Sequence, residues 1–192
     1  PTDITLDHLS VAENSAGTHV ANITGTDPDG DALTYSIVGG ADAALFEIST
    51  SGDMLHLATG VSADYEADSQ LEVQLQATDP SGSTFQEMFT IAISNVNETP
   101  IVNTPITNQS FIPTESVPSY SYNVSSAFSD PEGDVLNYSA QIKNVDNTVS
   151  TLPSWLVIDS ATGMLSGMPD VGDGGDLTIE VTATEVGMSG LA

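Results

Sequence analysis

Short runs of alternating apolar and polar residues recur along the chain and predict β-strands. The clearest run is Leu71–Ala77, and Phe89–Ile93 follows the same pattern. Alternation of this kind places one face of a strand in a core and the other in water. Shorter candidates are Leu33–Ile37, Leu45–Ile48 and Met54–Leu57. Clusters of Gly, Asp, Asn and Pro separate the runs, a spacing typical of β-sandwiches.

Helical patterns are nearly absent from the sequence. No segment sustains a 3.6-residue apolar period, and Ala41–Ala44 fits one helical turn at most. We therefore predict an all-β fold.

The second half of the chain repeats the first. Asp130–Tyr138 repeats Asp27–Tyr35 at an offset of 103 residues, and Leu177–Glu185 repeats Leu71–Asp79 at an offset of 106. A repeat of about 105 residues predicts two Greek-key β-sandwiches in tandem, each of ordinary domain size.

The segment Asn95–Pro100 lies between the two repeats, and we predict that it links the domains. The first domain then covers residues 1–98 and the second residues 99–192. Only seven residues follow Glu185, too few for the strand that ends the first domain. We therefore expect the second sandwich to lack its last strand, through a chain boundary, a disordered tail or an inserted module. Because the chain begins with Pro1 rather than Met, we also expect it to be part of a longer protein.

Charge is the most extreme compositional feature. The chain has 27 acidic residues against Lys143 alone, and its net charge is −26. Such a surface repels nucleic acids and anionic membranes, which need clustered Lys and Arg. We assign about half of this charge to a solvated surface. The remainder falls in short clusters with Gly or Pro and suggests metal sites.

Other compositional features exclude several chemistries. The chain has no Cys, which excludes disulfides, thiol catalysis and Cys-ligated zinc. No apolar run approaches the roughly 20 residues that span a bilayer, and we identify no signal-peptide pattern in these residues.

Four acidic motifs lie at predicted strand ends in the first half. They are Ala12-Glu13-Asn14, Asp27-Pro-Asp29-Gly-Asp31, Asp64-Tyr-Glu66 and Ala77-Thr-Asp79. Their spacing differs from that of an EF-hand. Calcium nevertheless takes six to eight hard oxygen ligands, which such carboxylates provide.

In this order, the four motifs and Asn95–Pro100 resemble a cadherin repeat of the bacterial type, over residues 1 to about 99. The resemblance implies calcium between consecutive repeats. The ligands expected toward the linker are Glu13, Asp64, Glu66 and Asn97. Those expected toward a preceding repeat are Asp27, Asp29 and Asp79. The family usually has Asp where this chain has Asn95, which removes one charge from the linker site.

The second half carries Leu152-Pro-Ser-Trp155-Leu156 and Thr162-Gly-Met-Leu-Ser-Gly-Met-Pro169. These segments resemble the dystroglycan-type cadherin-like domain, also called a putative Ig domain, over about residues 100–192. The resemblance implies that Trp155 lies in or near the core. It also implies linker-facing ligands, namely Asp130, Glu132 and Glu185, with Asp134 as a ligand or a turn residue.

Enzymatic chemistry has little support. His8, His19 and His56 lack metal or triad spacing, and we interpret them as surface or half-buried strand residues. There is no nucleophile elbow, no phosphate loop and no cleft for paired glycosidase carboxylates. Tyr120 and Tyr122 should face a core rather than stack on sugars.

Together with the resemblance, these features predict a calcium-rigidified extender of a large secreted or surface-bound bacterial adhesin of the RTX type, acting in cell adhesion or biofilm attachment. Its expected partners are neighbouring repeats, with a polysaccharide or another cell surface further away, and we expect a monomer. One alternative is a calcium-dependent carbohydrate-binding module of a secreted polysaccharide-acting protein. Another is homophilic adhesion, for which no terminal Trp anchor is present.

Overall fold

The computed structural model describes residues 1–110 and 120–187 and divides the chain into two compact units, Pro1–Val96 and Asn97–Ala192. The described residues form strands and three-residue 3-10 turns without any α-helix, which confirms the all-β prediction. Within the same residues, no helix has the length and apolar character needed to cross a membrane.

The first unit is a sandwich of two four-stranded sheets. Its strands are β1 (Asp3–Leu6), β2 (Ser10–Ala12), β3 (His19–Thr26), β4 (Thr34–Gly39), β5 (Phe46–Ile48), β6 (Met54–Leu57), β7 (Gln70–Thr78) and β8 (Thr84–Ser94). One sheet has the order β1-β3-β6-β5 and the other β2-β8-β7-β4. The β2–β8 pair is parallel, and the remaining pairs are antiparallel.

Alternating burial along β7 produces the core of this unit. Leu71, Val73, Leu75 and Ala77 are all buried, whereas the residues between them face outward. Ile91 lies opposite Leu71 on β8 and is fully buried as well. Large apolar side chains of both sheets therefore meet between them, as the period-two pattern predicts.

A tight turn precedes β5. The predicted helical turn is a 3-10 turn at Ala43–Leu45, so Leu45 belongs to this turn rather than to the strand. The turn approaches β7 closely, because a Cβ atom on Gly40 would lie 2.4 Å from the carbonyl oxygen of Glu72. Gly40 also has φ +104°, a conformation that favours glycine.

The second unit has shorter strands. They are β9 (Ile101–Val102), β10 (Tyr120–Asn123), β11 (Phe128–Ser129), β12 (Leu136–Lys143), β13 (Val149–Ser150), β14 (Leu156–Ile158), β15 (Met164–Gly167) and β16 (Ile179–Glu185). They form sheets of order β13-β12-β16 and β10-β15-β14, with a small β11-β9 pair. Val124, Leu136 and Tyr138 are the buried centre, and Tyr122 packs against them, as predicted.

Trp155 lies at the margin of this core. It is half-buried, and its ring packs beside Gly167, where an added Cβ would lie 3.0 Å from the ring. The prediction that this sandwich lacks its last strand concerns the segment after β16, of which residues 188–192 lie outside the described residues.

Candidate metal sites

Glu13 is held rigidly at the end of β2. Its backbone N–H donates to the Ser94 carbonyl oxygen at 3.2 Å, which extends the parallel β2–β8 pairing by one residue. Asn14 then adopts φ +63° and ends the strand. The Glu13 side chain is only 2% exposed. Its two carboxylate oxygens accept 2.7 Å hydrogen bonds, one from the backbone N–H of Tyr65 and one from that of Val96.

Two further carboxylates converge on Glu13. Glu13, Asp64 and Glu66 each place one oxygen within 4.8 Å of the others. Asp64 also accepts a hydrogen bond from the backbone N–H of Ala67, and Glu66 accepts one from the side-chain amide of Asn95. Like charges at about 4 Å repel by roughly 1 kcal/mol in water and about 4 kcal/mol at an effective dielectric constant of 20. A divalent cation would remove this repulsion.

In the second unit, Asp130 opens a tight turn. One of its carboxylate oxygens accepts hydrogen bonds from the backbone N–H groups of Glu132 and Asp134, both at 3.1 Å. Gly133 completes the turn by donating to the Asp130 carbonyl oxygen. Asp130 is 8% exposed, and its second carboxylate oxygen, Oδ2, is buried without a hydrogen-bond donor. Asp134 is exposed, and its backbone N–H takes part in this turn.

Glu132 and Glu185 are held by the first residues of this unit. The side-chain amide of Asn97 donates to Glu185 at 3.0 Å, and the backbone N–H of Glu98 donates to Glu132 Oε2 at 3.2 Å. The other carboxylate oxygen of Glu132, Oε1, is buried and has no donor. Glu98 was not predicted as a ligand from the sequence, although one of its carboxylate oxygens lies within 4.8 Å of one of Glu132.

These unpartnered oxygens test whether calcium suits the residues present. A buried carboxylate oxygen without a donor is costly, since burial removes the water that would solvate it. Asp130 Oδ2 and Glu132 Oε1 are two such atoms in one unit. Calcium prefers hard carboxylate oxygens, so the donor set fits this ion.

The ligands predicted toward a preceding repeat lie on two turns of the first unit. Asp27 Oδ1 accepts a hydrogen bond from the Asp29 backbone N–H at 2.9 Å, and Asp27 Oδ2 lies 2.8 Å from the Pro1 amino group. The hydrogen bond to this ammonium lowers the pKa of Asp27 below its ordinary value. Hydrogen bonding to the Ser81 hydroxyl does the same for the pKa of Asp79. Among the described residues, Asp27, Asp29 and Asp79 do not form a three-carboxylate group within 4.8 Å.

Two family models match the chain one after the other. Residues 7–97 match the cadherin domain, and residues 99–189 match the family described as "Putative Ig domain". Comparison with curated proteins finds no match.

Solved cadherin ectodomains share the fold. The human protocadherin-24 EC1-2 structure matches with TM-score 0.65 and 20% identity, covering 95% of this chain and 87% of that one. The human desmocollin-1 ectodomain matches with TM-score 0.56 and 18% identity, covering 96% of this chain and 38% of that one. A structure of protocadherin gamma B2 domains 3–6 matches with TM-score 0.52 and 18% identity, covering 93% of this chain and 48% of that one. The chain therefore spans less than half the length of the latter two.

Proposed function

The chain consists of a cadherin domain followed by a putative Ig domain, and we propose that it is a calcium-rigidified extender segment of a large secreted or cell-surface bacterial adhesin. Domains of these two families are typically extracellular adhesion or structural modules rather than enzymes. The absence of Cys and the net charge of −26 support an extracellular setting in which calcium replaces disulfides as the stiffening element.

The observation that carries this proposal is the pair of buried carboxylate oxygens without a donor in the second domain, Asp130 Oδ2 and Glu132 Oε1; a third such oxygen, Glu87 Oε2 on β8, lies outside the proposed ligand set. Burying two such atoms without a partner in a chain of net charge −26 is unfavourable, and a cation bound to them would offset this cost. The carboxylate group of the first domain, built on the buried Glu13, supports the same conclusion.

Consecutive chain residues connect the two carboxylate sets. Val96 holds Glu13 in the first domain, whereas Asn97 and Glu98 hold Glu185 and Glu132 in the second. We propose that the sets share calcium ions, with a ligand set of Glu13, Asp64, Glu66, Asn97, Asp130, Glu132 and Glu185.

Sharing ions would fix the angle between the domains. Without calcium, the two acidic ends repel each other and the linker bends freely. With calcium, the same carboxylates hold both domains in one arrangement. The role of the segment is then to present a more distant binding module at a constant reach, in cell adhesion or biofilm attachment. Asp27, Asp29 and Asp79 are proposed to serve a preceding repeat in the same way.

Small-angle X-ray scattering tests this function directly. The maximum dimension and the flexibility of the chain are measured in calcium and then in excess chelator. We expect a well-defined extended particle in calcium and a broader distribution of dimensions in chelator. Glu66→Ala should remove this difference, whereas Glu72→Ala, which changes an exposed glutamate on β7, should preserve it. Identical wild-type profiles in both conditions would contradict the proposal.

Affinity chromatography separates this function from the alternative, a carbohydrate-binding module. An extender passes through immobilised polysaccharide with or without calcium, whereas a binding module is retained in calcium and released by chelator. The described part of the second domain has an open groove of about 650 Å³, lined by residues such as Gln141, Val149 and Val157. No aromatic side chain lines it, so the groove lacks a sugar-stacking platform, which favours the extender.

A further inference from the structure

Two histidines and a glutamate form a row across the outer face of the β1-β3-β6-β5 sheet. His19 on β3 lies directly opposite His56 on β6, and His56 lies directly opposite Glu47 on β5. Directly opposed residues have Cβ atoms roughly 5 Å apart. His19 and Glu47 are exposed, and His56 is half-buried. All three side chains are therefore accessible to an ion from solvent.

A β-bulge brings His19 into this row. The register of β3 against β6 shifts between His19 and Ala21. Val20 and Ala21 are consequently both buried, whereas His19 is exposed. In a regular strand, His19 would share the inward face of Ala21, because side chains two positions apart point the same way. Bulges are known to redirect side chains at functional positions, and this one places the two imidazoles side by side.

The spacing of the imidazoles suits a shared metal ion. Their ring centroids are 5.2 Å apart and their planes cross at 77°. With Zn–N bonds of about 2.0–2.1 Å and tetrahedral angles, two imidazoles on one zinc ion have centroids roughly 5 Å apart. His19, His56 and Glu47 do not place three ligand atoms within 4.8 Å of one another. Glu47 supplies a third ligand only by rotating its side chain away from the Thr59 hydroxyl, which donates to one of its oxygens at 3.1 Å. Three protein ligands leave the fourth position to water.

We propose that His19, His56 and Glu47 form a surface site for a borderline-soft divalent ion, with Zn²⁺ as the best-fitting member of the class. Imidazole nitrogens favour zinc, copper and nickel, whereas calcium requires hard oxygens. The site is thus chemically distinct from the carboxylate sets. The net charge of −26 raises the local concentration of any cation near the surface.

Isothermal titration with Zn²⁺ tests the site on the intact chain. About 10 mM calcium is kept in the buffer so that the carboxylate sets are already occupied. We expect saturable binding of one ion. His19→Gln and His56→Gln should each weaken binding at least tenfold, since loss of even an outer-shell partner costs about 10- to 100-fold in metal affinity. Glu47→Gln should weaken it less, because both imidazoles remain.

The third histidine of the chain provides a matched control. His8 is exposed and lies outside the row, beside Asp7, so His8→Gln should bind Zn²⁺ like the wild type. NMR gives an independent measurement, because Zn²⁺ should shift the imidazole signals of His19 and His56 but not those of His8. Equal binding by the wild type and His56→Gln, or an equal loss in His8→Gln, would overturn the proposal. Unchanged thermal unfolding of the variants in calcium confirms that they remain folded.

Discussion

Replacing Glu13 with Gln separates the structural role of this residue from its role as a calcium ligand. Gln keeps the length and shape of Glu, so the change removes a charge without creating a cavity. The two oxygens of Glu13 accept the backbone N–H groups of Tyr65 and Val96. An amide offers only one acceptor oxygen. One of these N–H groups therefore loses its partner, at a cost of about 1–3 kcal/mol.

The lost charge offsets this cost when calcium is absent. Ligand oxygens of Asp64 and Glu66 lie within 4.8 Å of that of Glu13. At this distance each repulsion is about 1 kcal/mol in water and about 3.5 kcal/mol at an effective dielectric constant of 20. Asp64 and Glu66 are exposed, so values near the lower limit apply and the relief totals about 2 kcal/mol. The two effects nearly cancel, and without calcium Glu13→Gln should unfold within a few degrees of the wild type.

In calcium, the Tm of Glu13→Gln should lie well below that of the wild type. At about 10 mM calcium and a Kd of about 0.1–1 mM, binding to the folded state contributes about 1.4–2.7 kcal/mol. For a domain of about 100 residues, this raises Tm by roughly 6–20 °C. Differential scanning calorimetry in calcium and in chelator measures the shift. The wild type should show it in full, and Glu13→Gln should lose most of it.

Glu72→Gln is the matched control, because it removes one carboxylate from an exposed position on β7. The calcium-dependent rise in Tm of Glu72→Gln should equal that of the wild type. A rise as large as that of the wild type in Glu13→Gln would refute the assignment of Glu13 as a ligand. A large loss of stability in Glu13→Gln without calcium would show instead that its hydrogen bonds outweigh the repulsion.

Four further predictions follow. The hydrogen bond from the Asn22 side-chain amide is the main cause that lowers the pKa of Asp7 to about 2. The ionised Asp7 carboxylate therefore stabilises the folded state fully above the unfolded pKa of about 3.9, and this stabilisation is lost as the pH falls through about 2. An NMR titration should show that midpoint, and Asn22→Ala should raise it. Gly40→Ala should lower the free energy of unfolding by more than about 2 kcal/mol in urea titrations, because its φ is +104° and its Cβ would meet the β7 backbone. Leu55→Ala, at a fully buried position, should cost about 2–5 kcal/mol in the same assay. Asp130→Asn should reduce the calcium-dependent rise in Tm, and an unchanged rise would exclude Asp130 as a ligand.

The strands that could be predicted from sequence are those with strict alternation. Met54–Leu57 is β6 to the residue, and Leu71–Ala77 lies within β7. In these strands the residue types alone distinguish the buried face from the solvent-exposed face, so the local pattern agrees with the tertiary environment. Leu45 departs from its predicted strand because it is the last residue of the 3-10 turn Ala43–Leu45, which follows the close approach of Gly40 to β7.

Some features of the candidate sites could also be predicted from the sequence, and others could not. The acidic motifs were visible because a turn such as Asp130–Asp134 needs fixed spacing within a few residues. The sequence predicts His19 and His56 only as separate surface or half-buried strand residues, since nothing local joins residues 37 positions apart. Their pairing depends on strand order and on a one-residue bulge, both of which are set by long-range packing. The Glu98 carboxylate is not predicted as a ligand for a related reason, because no local pattern brings it near that of Glu132, 34 residues further along the chain.

Turn geometry, more than the number of acids, distinguishes candidate ligands from ordinary surface charge. Asp146 and Asp159 direct a carboxylate oxygen to hydroxyl and backbone donors of their own loops, and the hydroxyl of Thr148 or Thr162 is the main cause of each lowered pKa. These carboxylates already have local donors. In Asp130, the turn backbone uses only one oxygen and leaves the other buried without a donor. A buried carboxylate oxygen without a donor gains more from a cation than one that already accepts hydrogen bonds. Within the second domain, the turn at Asp130 therefore distinguishes this carboxylate from those of Asp146 and Asp159 as a position where calcium would stabilise the fold.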